Sequence, residues 1–188
     1  MDLALSAAAF SAMVVDEERI VKGIVLLTHK SGPDTPLSQR LGDLAGCAVS
    51  VVREATSKAR PLLPAGAFVR GIRKVGVEDF ARGFPFMREE MGMVVGAVRA
   101  AIYREFEIEV ETIPVRAAKI VACPRWPGLN KDNWLAAGRT TKFKASMPDK
   151  SSIVSGLQRR YKIKARNDHE ADACCVAISL ARKHGRAI

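Results

Sequence analysis

The chain has 188 residues, which suffices for one domain with a sizeable core and is too short for two comfortable ones. A hydrophobic fraction of 48% and a charged fraction of 27% are ordinary for a globular protein and exclude extensive disorder. The net charge of +10 is less ordinary and indicates a polyanionic partner, either nucleic acid or an anionic membrane surface.

The first half of the chain alternates strand and helix patterns. β-rich runs at 9–16 and 19–28 flank a short acidic turn and predict a hairpin. Apolar residues at helical spacing predict a helix from Pro36 to Ala59. Residues 72–80 follow a Pro-containing break and predict a buried strand that ends near Glu78.

The second half continues the alternation and then becomes mostly helical. Its patterns predict, in chain order, a helix at 86–105, a half-exposed strand at 107–113, and helices at 115–122, 149–161 and 168–184. Asp149 is expected at the start of its helix as the N-cap or in the first turn. Residues 124–149 are rich in Pro and Gly and predict a long loop or insertion. With a further strand expected before the hairpin, this order predicts one mixed α/β domain.

The positive charge is confined to one stretch of the sequence. Residues 1–114 have a net charge of −1 and residues 167–188 a net charge of 0, whereas residues 115–166 reach +11. This segregation favours a phosphate-binding surface, with a solubilising face as the alternative. Trp126 and Trp134 lie within the stretch and either stack on bases or anchor the loop to the core.

The cysteines and the N-terminal segment bear on the compartment. The four cysteines form no C-x-x-C pair, so we interpret them as small buried hydrophobes in a reducing compartment and expect no zinc site. The apolar run from Leu3 to Val15 has no basic region before it and leads directly into acidic residues, unlike a signal peptide. No apolar run reaches the length of a membrane span, so we expect a cytoplasmic protein.

Four acidic or imidazole side chains occupy positions that suit metal binding. Asp2 lies at or just inside a strand, Glu78 ends an apolar strand, and His169 and Asp172 share one face of the last helix. Asp168 lies beside them and is also a candidate cap for that helix. A carboxylate at the end of a buried strand is costly unless it is compensated, and cations held by such groups suit phosphodiester cleavage. Oxygen ligands with one imidazole suit Mg²⁺ or Mn²⁺.

Each of these positions also has a structural interpretation. Asp2 fits a frayed terminus, Glu78 a polar strand end and His169 an exposed helix position. Acidic residues at the start of the last helix are also favoured by the helix dipole without any metal. Taken singly, the residues therefore leave both interpretations open.

The motifs together resemble those of RuvC-type Holliday junction resolvases. Residues 168–178 (DHEADACCVAI) resemble the C-terminal motif, in which an acid or His is followed three residues later by Asp, Ala and small apolar residues. Residues 75–81 (VGVEDFA) resemble the second motif, a strand that ends in a catalytic Glu, and residues 2–6 the first, with its catalytic Asp. Residues 92–98 are similar to the family's Gly-containing helix, and residues 114–119 to its Pro-x-x-x-x-Lys segment.

This resemblance implies an RNase H-like α/β fold, a mixed five-stranded sheet flanked by helices. Residues 1–188 would form a single nuclease domain with a basic insertion at about 124–146 that most cellular members lack. A phage or otherwise divergent member is expected. It would be cytoplasmic, and for a phage protein the cytoplasm would be that of the infected bacterial host. The active form implied is a homodimer that nicks the two strands of a four-way DNA junction symmetrically. The helix at 86–105 would be the dimer element, unless its stripe of Met91, Val94 and Val98 belongs to the core.

The resemblance also implies roles for individual residues. Asp2, Glu78, His169 and Asp172 would be the catalytic and metal-binding residues, with two Mg²⁺ or Mn²⁺ ions per site and Asp168 as a reserve ligand. Phe80 and Phe84 would stack on an unpaired base, with core packing as the alternative. The candidate phosphate and DNA contacts are Lys119, Arg125, Arg139, Lys142, Lys144 and Lys150.

Other functional classes remain open at the level of sequence. Another RNase H-like nuclease, acting on RNA–DNA hybrids or flaps, would use the same carboxylates. A catalytically silent protein that binds junctions or duplexes would keep the basic surface and lose the metal. A membrane-surface protein fits less well, because the basic residues lie in an irregular segment and not on one amphipathic helix.

Overall fold

Two small β-sheets and six α-helices make up the part of the chain that the computed structural model describes, which is residues 1, 7–15, 20–32, 34–62, 74–79 and 88–185. The strands are β1 (Ala7–Val15), β2 (Ile20–Lys30), β3 (Val75–Asp79) and β4 (Val110–Pro114). The helices are α1 (Leu37–Ala59), α2 (Arg88–Phe106), α3 (Val115–Ala122), α4 (Lys131–Ala136), α5 (Lys150–Tyr161) and α6 (Asp168–Lys183).

The first sheet is the predicted hairpin. β1 and β2 pair antiparallel, and a register shift follows Ala12. Phe10 and Ala12 belong to the apolar core that includes α1, whereas the Ser11 hydroxyl donates to the Ala173 carbonyl of α6 at 2.8 Å. Helices thus cover both faces of β1, which explains why its sequence is almost continuously apolar. The predicted tip of the hairpin lies outside the described residues.

The second sheet is parallel. β3 and β4 pair in register from Val75 with Val110 to Asp79 with Pro114, and α2 lies between them in sequence. A parallel pair requires such a crossover, because the chain must return to the starting end of the sheet. Val75 and Val77 face the core that includes α1 and α2, and the alternate residues of β3 therefore face α6.

The backbone of Met1 also bonds to β3. Its nitrogen donates to the Gly76 carbonyl at 2.8 Å, and its carbonyl accepts from the Glu78 amide at 3.3 Å. This is the hydrogen-bonding pattern of a parallel neighbour. The described strands nevertheless form two separate two-stranded sheets, so the single five-stranded sheet expected from the resemblance is not formed by the described residues.

Several expectations need correction at element ends. The strand predicted at 107–113 begins only at Val110, because Glu107 takes the left-handed conformation (φ 55°) and its amide caps α2 by bonding to Tyr103. Asn167, not Asp168, caps α6. Asp149 caps α5 as expected, accepting from the Ser152 amide at 2.8 Å. The presumed loop at 124–149 contains α4 and a short 3₁₀ turn.

The stripe of Met91, Val94 and Val98 on α2 belongs to the core. These side chains are buried, and α2 packs along α1. The outer face of α2 is consequently the one that remains exposed to solvent. Among the described helices, none combines the length and the apolar character needed to cross a membrane.

α6 is the helix that joins the two halves of the structure. It packs against β1, β3, α3 and α5, and most of its first three turns are buried. Gly76 of β3 permits its close approach. A Cβ atom at Gly76 would lie 3.3 Å from Leu180 Cδ2 and 3.4 Å from both Val176 Cγ1 and Ile113 Cγ1.

We expect Gly76→Val to lower the free energy of unfolding by about 1–3 kcal/mol, because its γ-methyl groups would overlap α6. Urea denaturation would measure this. The matched control is Gly42→Ala on α1, where a Cβ meets nothing within 4 Å. That change should raise stability by up to about 1 kcal/mol through helix propensity. Unchanged stability for Gly76→Val would contradict the close contact.

The C-terminal end of α6 is fixed to β4 by ion pairs at Glu111. Its carboxylate accepts from Lys183 Nζ at 2.6 Å and lies 2.6 Å from His184 Nε2. Hydrogen bonds from these groups lower the pKa of Glu111 to about 2. A carboxyl with a depressed pKa in the folded state stabilises the fold above its unfolded pKa, and this contribution disappears as the pH falls from about 4.5 towards 2.

We therefore expect Glu111→Gln to destabilise the protein at pH 7 and to have a much smaller effect near pH 3. Urea unfolding midpoints measured from pH 7 to pH 3 would show the two curves converging. Glu109→Gln, an exposed neighbour, serves as the control and should leave the curve unchanged. A gap of constant size across this range would argue against the ion pairs.

Candidate active site

The contact at Gly76 fixes how far β3 and α6 are shifted relative to each other along their axes. Asp172 lies one turn before Val176 on α6, a rise of about 6 Å. Glu78 lies two residues beyond Gly76 on the same face of β3, an advance of about 6.6 Å. The two acidic residues are therefore expected at the same level of the structure.

The electrostatics of Cys175 agree with this placement. Burial raises the pKa of the Cys175 thiol, and the negative charges of Asp172 and Glu78 raise it further. Both carboxylates thus act on one buried thiol. Glu78 is 4% exposed, whereas the Asp172 side chain is 16% exposed, so the pair lies at the edge of the core with Asp172 nearer to solvent.

A lysine stands beside this acidic pair. Lys119 of α3 places its Nζ 3.6 Å from Asp172 Oδ2, and both side chains are largely shielded from solvent. α3 packs against α6, and Pro114 at its N-terminal end sets the direction in which it leaves β4. The structure therefore pairs Asp172 with Lys119, and Glu78 lies on β3, the strand against which α6 packs.

The first turn of α6 contributes the other candidate residues. His169 is half-buried and shares a helical face with Asp172. Asp168 forms an ion pair with Lys150, the first residue of α5. The hydrogen bond from Lys150 lowers the pKa of Asp168, and the charge of His169 lowers it further. Asp168, the reserve candidate ligand, is thus engaged by a lysine, as Asp172 is by Lys119.

A fully buried acid holds the start of α6 in place. Glu170 accepts from the Arg166 amide at 2.8 Å and from Arg166 Nε at 2.8 Å, while the Asn167 side chain accepts from the Glu170 amide at 2.9 Å. The Asn167 bond is that of an N-cap, and the Glu170 carboxylate reaches back to the amide of Arg166, the residue just before the cap. From the sequence, acidic residues at this helix start are expected only to favour the helix dipole. The missed signal is the Asn followed three residues later by Glu.

The chemistry of these donors suits a hard divalent cation. Two carboxylates and one imidazole are available at the level of β3 and the start of α6. Within the described ranges, no group of three or more His, Cys, Asp or Glu side chains is arranged to hold a metal ion. Asp2, the remaining candidate ligand, lies outside the described residues, as do Phe80 and Phe84.

The remaining basic candidates lie on the segment before α5. The side chains of Arg125, Arg139, Lys142 and Lys144 are all exposed. Trp134 is only 7% exposed, and its indole nitrogen donates to the Thr141 carbonyl at 3.0 Å. Of the two roles considered for this tryptophan, it therefore has the anchoring one and does not present its ring to a base.

Comparison with solved structures gives the fold an identity. The structure of Thermus thermophilus RuvC is 17% identical in sequence, with a TM-score of 0.60 over 98% of this chain and 94% of that chain. T. thermophilus RuvC in complex with Holliday junction substrate gives a TM-score of 0.64 at 18% identity, over 98% and 92% of the two chains. No protein-family model and no curated protein matches the sequence. The chain is a mixed α/β protein with the RuvC fold, as expected of a divergent RuvC-type member.

Proposed function

We propose that this protein is a metal-dependent endonuclease that resolves four-way DNA junctions. The observation that supports this most is the ion pair between Lys119 and Asp172, with Nζ 3.6 Å from Oδ2, on the helix that packs against the strand carrying Glu78. These residues come from β3, α3 and α6, and each belongs to a motif that resembles RuvC. The structural likeness to a RuvC bound to a Holliday junction supports the choice of substrate.

Asp2, Glu78, His169 and Asp172 are the residues that would hold Mg²⁺ or Mn²⁺ in this proposal. Such ions, when bound in pairs, lower the pKa of an attacking water and stabilise the leaving oxygen of a phosphodiester. The burial of Glu78 limits the directions in which its carboxylate can turn, which would preorganise the ligand. Met1 bonds to β3 at Gly76 and Glu78, and Asp2 follows it directly in sequence.

Lys119 and Lys150 would contact the scissile and flanking phosphates. Lys119 compensates the negative charge of Asp172 and is close enough to share a phosphate oxygen with an ion bound there. Lys150 is tied to Asp168 at the start of α6, so its ammonium is kept near the site although 77% of the side chain is exposed. Charge-assisted contacts of this kind position the DNA backbone without reading sequence.

Symmetric nicking requires two sites, so we propose a homodimer. Since Met91, Val94 and Val98 are occupied in the core, the dimer contact would use the outer face of α2, where Met93 is 42% and Tyr103 is 58% exposed. We also propose that residues 1–188 form a single domain. Its five-stranded sheet would include the hairpin and the β3–β4 pair.

We expect the protein to introduce symmetric nicks into a labelled four-way junction in Mg²⁺ or Mn²⁺. Glu78→Gln and Asp172→Asn should each lower the cleavage rate by at least about 100-fold, because the loss of an outer-shell partner alone costs about 10- to 100-fold. The matched control is Glu54→Gln, an exposed residue of α1, which should cleave as wild type.

The substrates in this assay decide between functional classes. Linear duplex and RNA–DNA hybrid of the same length should remain intact. Cleavage of the hybrid in preference to the junction would indicate a different RNase H-like nuclease. Binding of the junction without cleavage in either metal would instead indicate a silent junction-binding protein.

Junction affinity should fall steeply with salt, since binding releases counterions from DNA phosphates. Replacing both Lys119 and Lys150 by Gln should weaken binding and lower the slope of log affinity against log salt by about 2. Fluorescence anisotropy between 50 and 300 mM salt, roughly the range in which such effects are large, measures this. Lys58→Gln, on the exposed C-terminal turn of α1, is the control. An affinity that does not change with salt would be inconsistent with phosphate binding.

A further inference from the structure

Residues 123–148, here called the Trp module, form an ordered unit between α3 and α5. Trp134 is its centre: Arg139 lies 4.6 Å above the ring, and Phe143 packs against it edge-on with ring centroids 5.7 Å apart. The side-chain amide of Asn133 donates through Nδ2 to the Pro124 and Trp126 carbonyls at 3.0 and 3.1 Å. The segment is therefore held by contacts of its own, unlike a solvated loop.

The module is closed where its two ends meet at Gly128. The Ser146 amide donates to the Gly128 carbonyl at 3.0 Å, and Trp126 Nε1 donates to Ser146 Oγ at 3.3 Å. A Cβ at Gly128 would lie 2.7 Å from both the Ser146 nitrogen and oxygen, so any other residue there must displace backbone. Gly128 is thus a position at which the module can be disrupted without altering its surface.

The outer surface of the module combines apolar and positively charged side chains. Phe143 is 36%, Met147 37% and Leu135 57% exposed. Lys142 and Lys144 flank Phe143 directly in sequence. The 123–148 segment contains five Lys and Arg against one acidic residue, Asp132. In the described part of the chain, no acidic side chain pairs with either lysine.

We propose that the Trp module is a second DNA-binding surface, separate from the cleavage site, and that Phe143 packs on a base exposed at the branch point. The inference rests on the proposed function for its choice of DNA. An aromatic side chain set between two unpaired lysines matches a base beside its flanking phosphates. In a continuous duplex the base faces are stacked and inaccessible, so this contact would favour branched over linear DNA.

A second copy of the chain is the alternative partner for this surface. Two Trp modules, each with a net charge of +4, would repel one another across an interface. A nucleic acid removes that repulsion and neutralises the cations at the same time. The charge of the surface therefore favours DNA over self-association.

Three variants separate the parts of the proposal. Phe143→Ala removes the aromatic contact, the pair Lys142→Gln and Lys144→Gln removes the flanking charges, and Gly128→Ala disrupts the module. Leu37→Ala on α1, 38% exposed in the wild type, is the matched control for Phe143. The pair Lys30→Gln and Lys58→Gln is the control for charge. Both tryptophans of the chain lie in the module, so intrinsic fluorescence reports its folding in each variant.

Affinity for a four-way junction and for linear duplex is then measured without divalent metal, so that cleavage does not interfere. Phe143→Ala should weaken junction binding by about 5- to 150-fold, the range seen when a stacking aromatic is removed, and affect duplex far less. The loss should vanish on a junction with abasic sites at the branch. The lysine pair should weaken binding to both DNAs and lower the salt slope by about 2. Gly128→Ala should combine both losses.

Wild-type affinities for Phe143→Ala on both DNAs, with native tryptophan fluorescence, would overturn the proposal. So would a change in sedimentation of that variant with DNA binding intact, which would point to self-association. If wild type cleaves the junction while Phe143→Ala binds normally, only this inference fails. If the junction is bound through Phe143 but never cleaved, only the nuclease proposal fails.

Discussion

The contact between α6 and the backbone of β3 at Gly76 determines where the candidate site residues of these two elements lie. At that point the helix lies within van der Waals distance of the strand, so a side chain at Gly76 would move α6 away. The Asn167 cap and the bonds of Glu170 to Arg166 fix where α6 starts. Together the contact and the cap set both the height and the beginning of the helix. From the rise of a helix and of a strand, Glu78 and Asp172 are expected at the same level as a result.

An acidic residue at the edge of a core is destabilising unless positive charge is supplied nearby. Lys119 supplies part of it at Asp172, and Lys150 does the same for Asp168 at the helix start. The same lysines would also suit an anionic phosphodiester, because their positive charges would offset the negative charge of its phosphate.

The Trp module adds a feature of a different physical kind. Trp134 stabilises the folded segment: its indole nitrogen donates to the Thr141 carbonyl, and its ring is covered by Arg139 and Phe143. Stability of the segment and its surface properties are therefore provided by different residues. A rigid support beneath Phe143 lowers the entropy lost when that ring contacts a partner.

The sequence by itself determined the local features of this protein. Helix starts and ends followed from residues a few positions apart, as Asp149 capping α5 illustrates, and the confinement of positive charge to residues 115–166 could be read directly. The motif at the start of α6 indicated the fold, because its residues lie close together in the sequence and resemble the C-terminal motif of RuvC-type resolvases. Only the tertiary structure decided which distant residues meet: Lys119 with Asp172, and the stripe on α2 with α1. It also decided that Trp134 is buried and Phe143 exposed. Secondary-structure preferences depend on neighbouring residues, whereas contacts between distant residues depend on the packing of the whole chain.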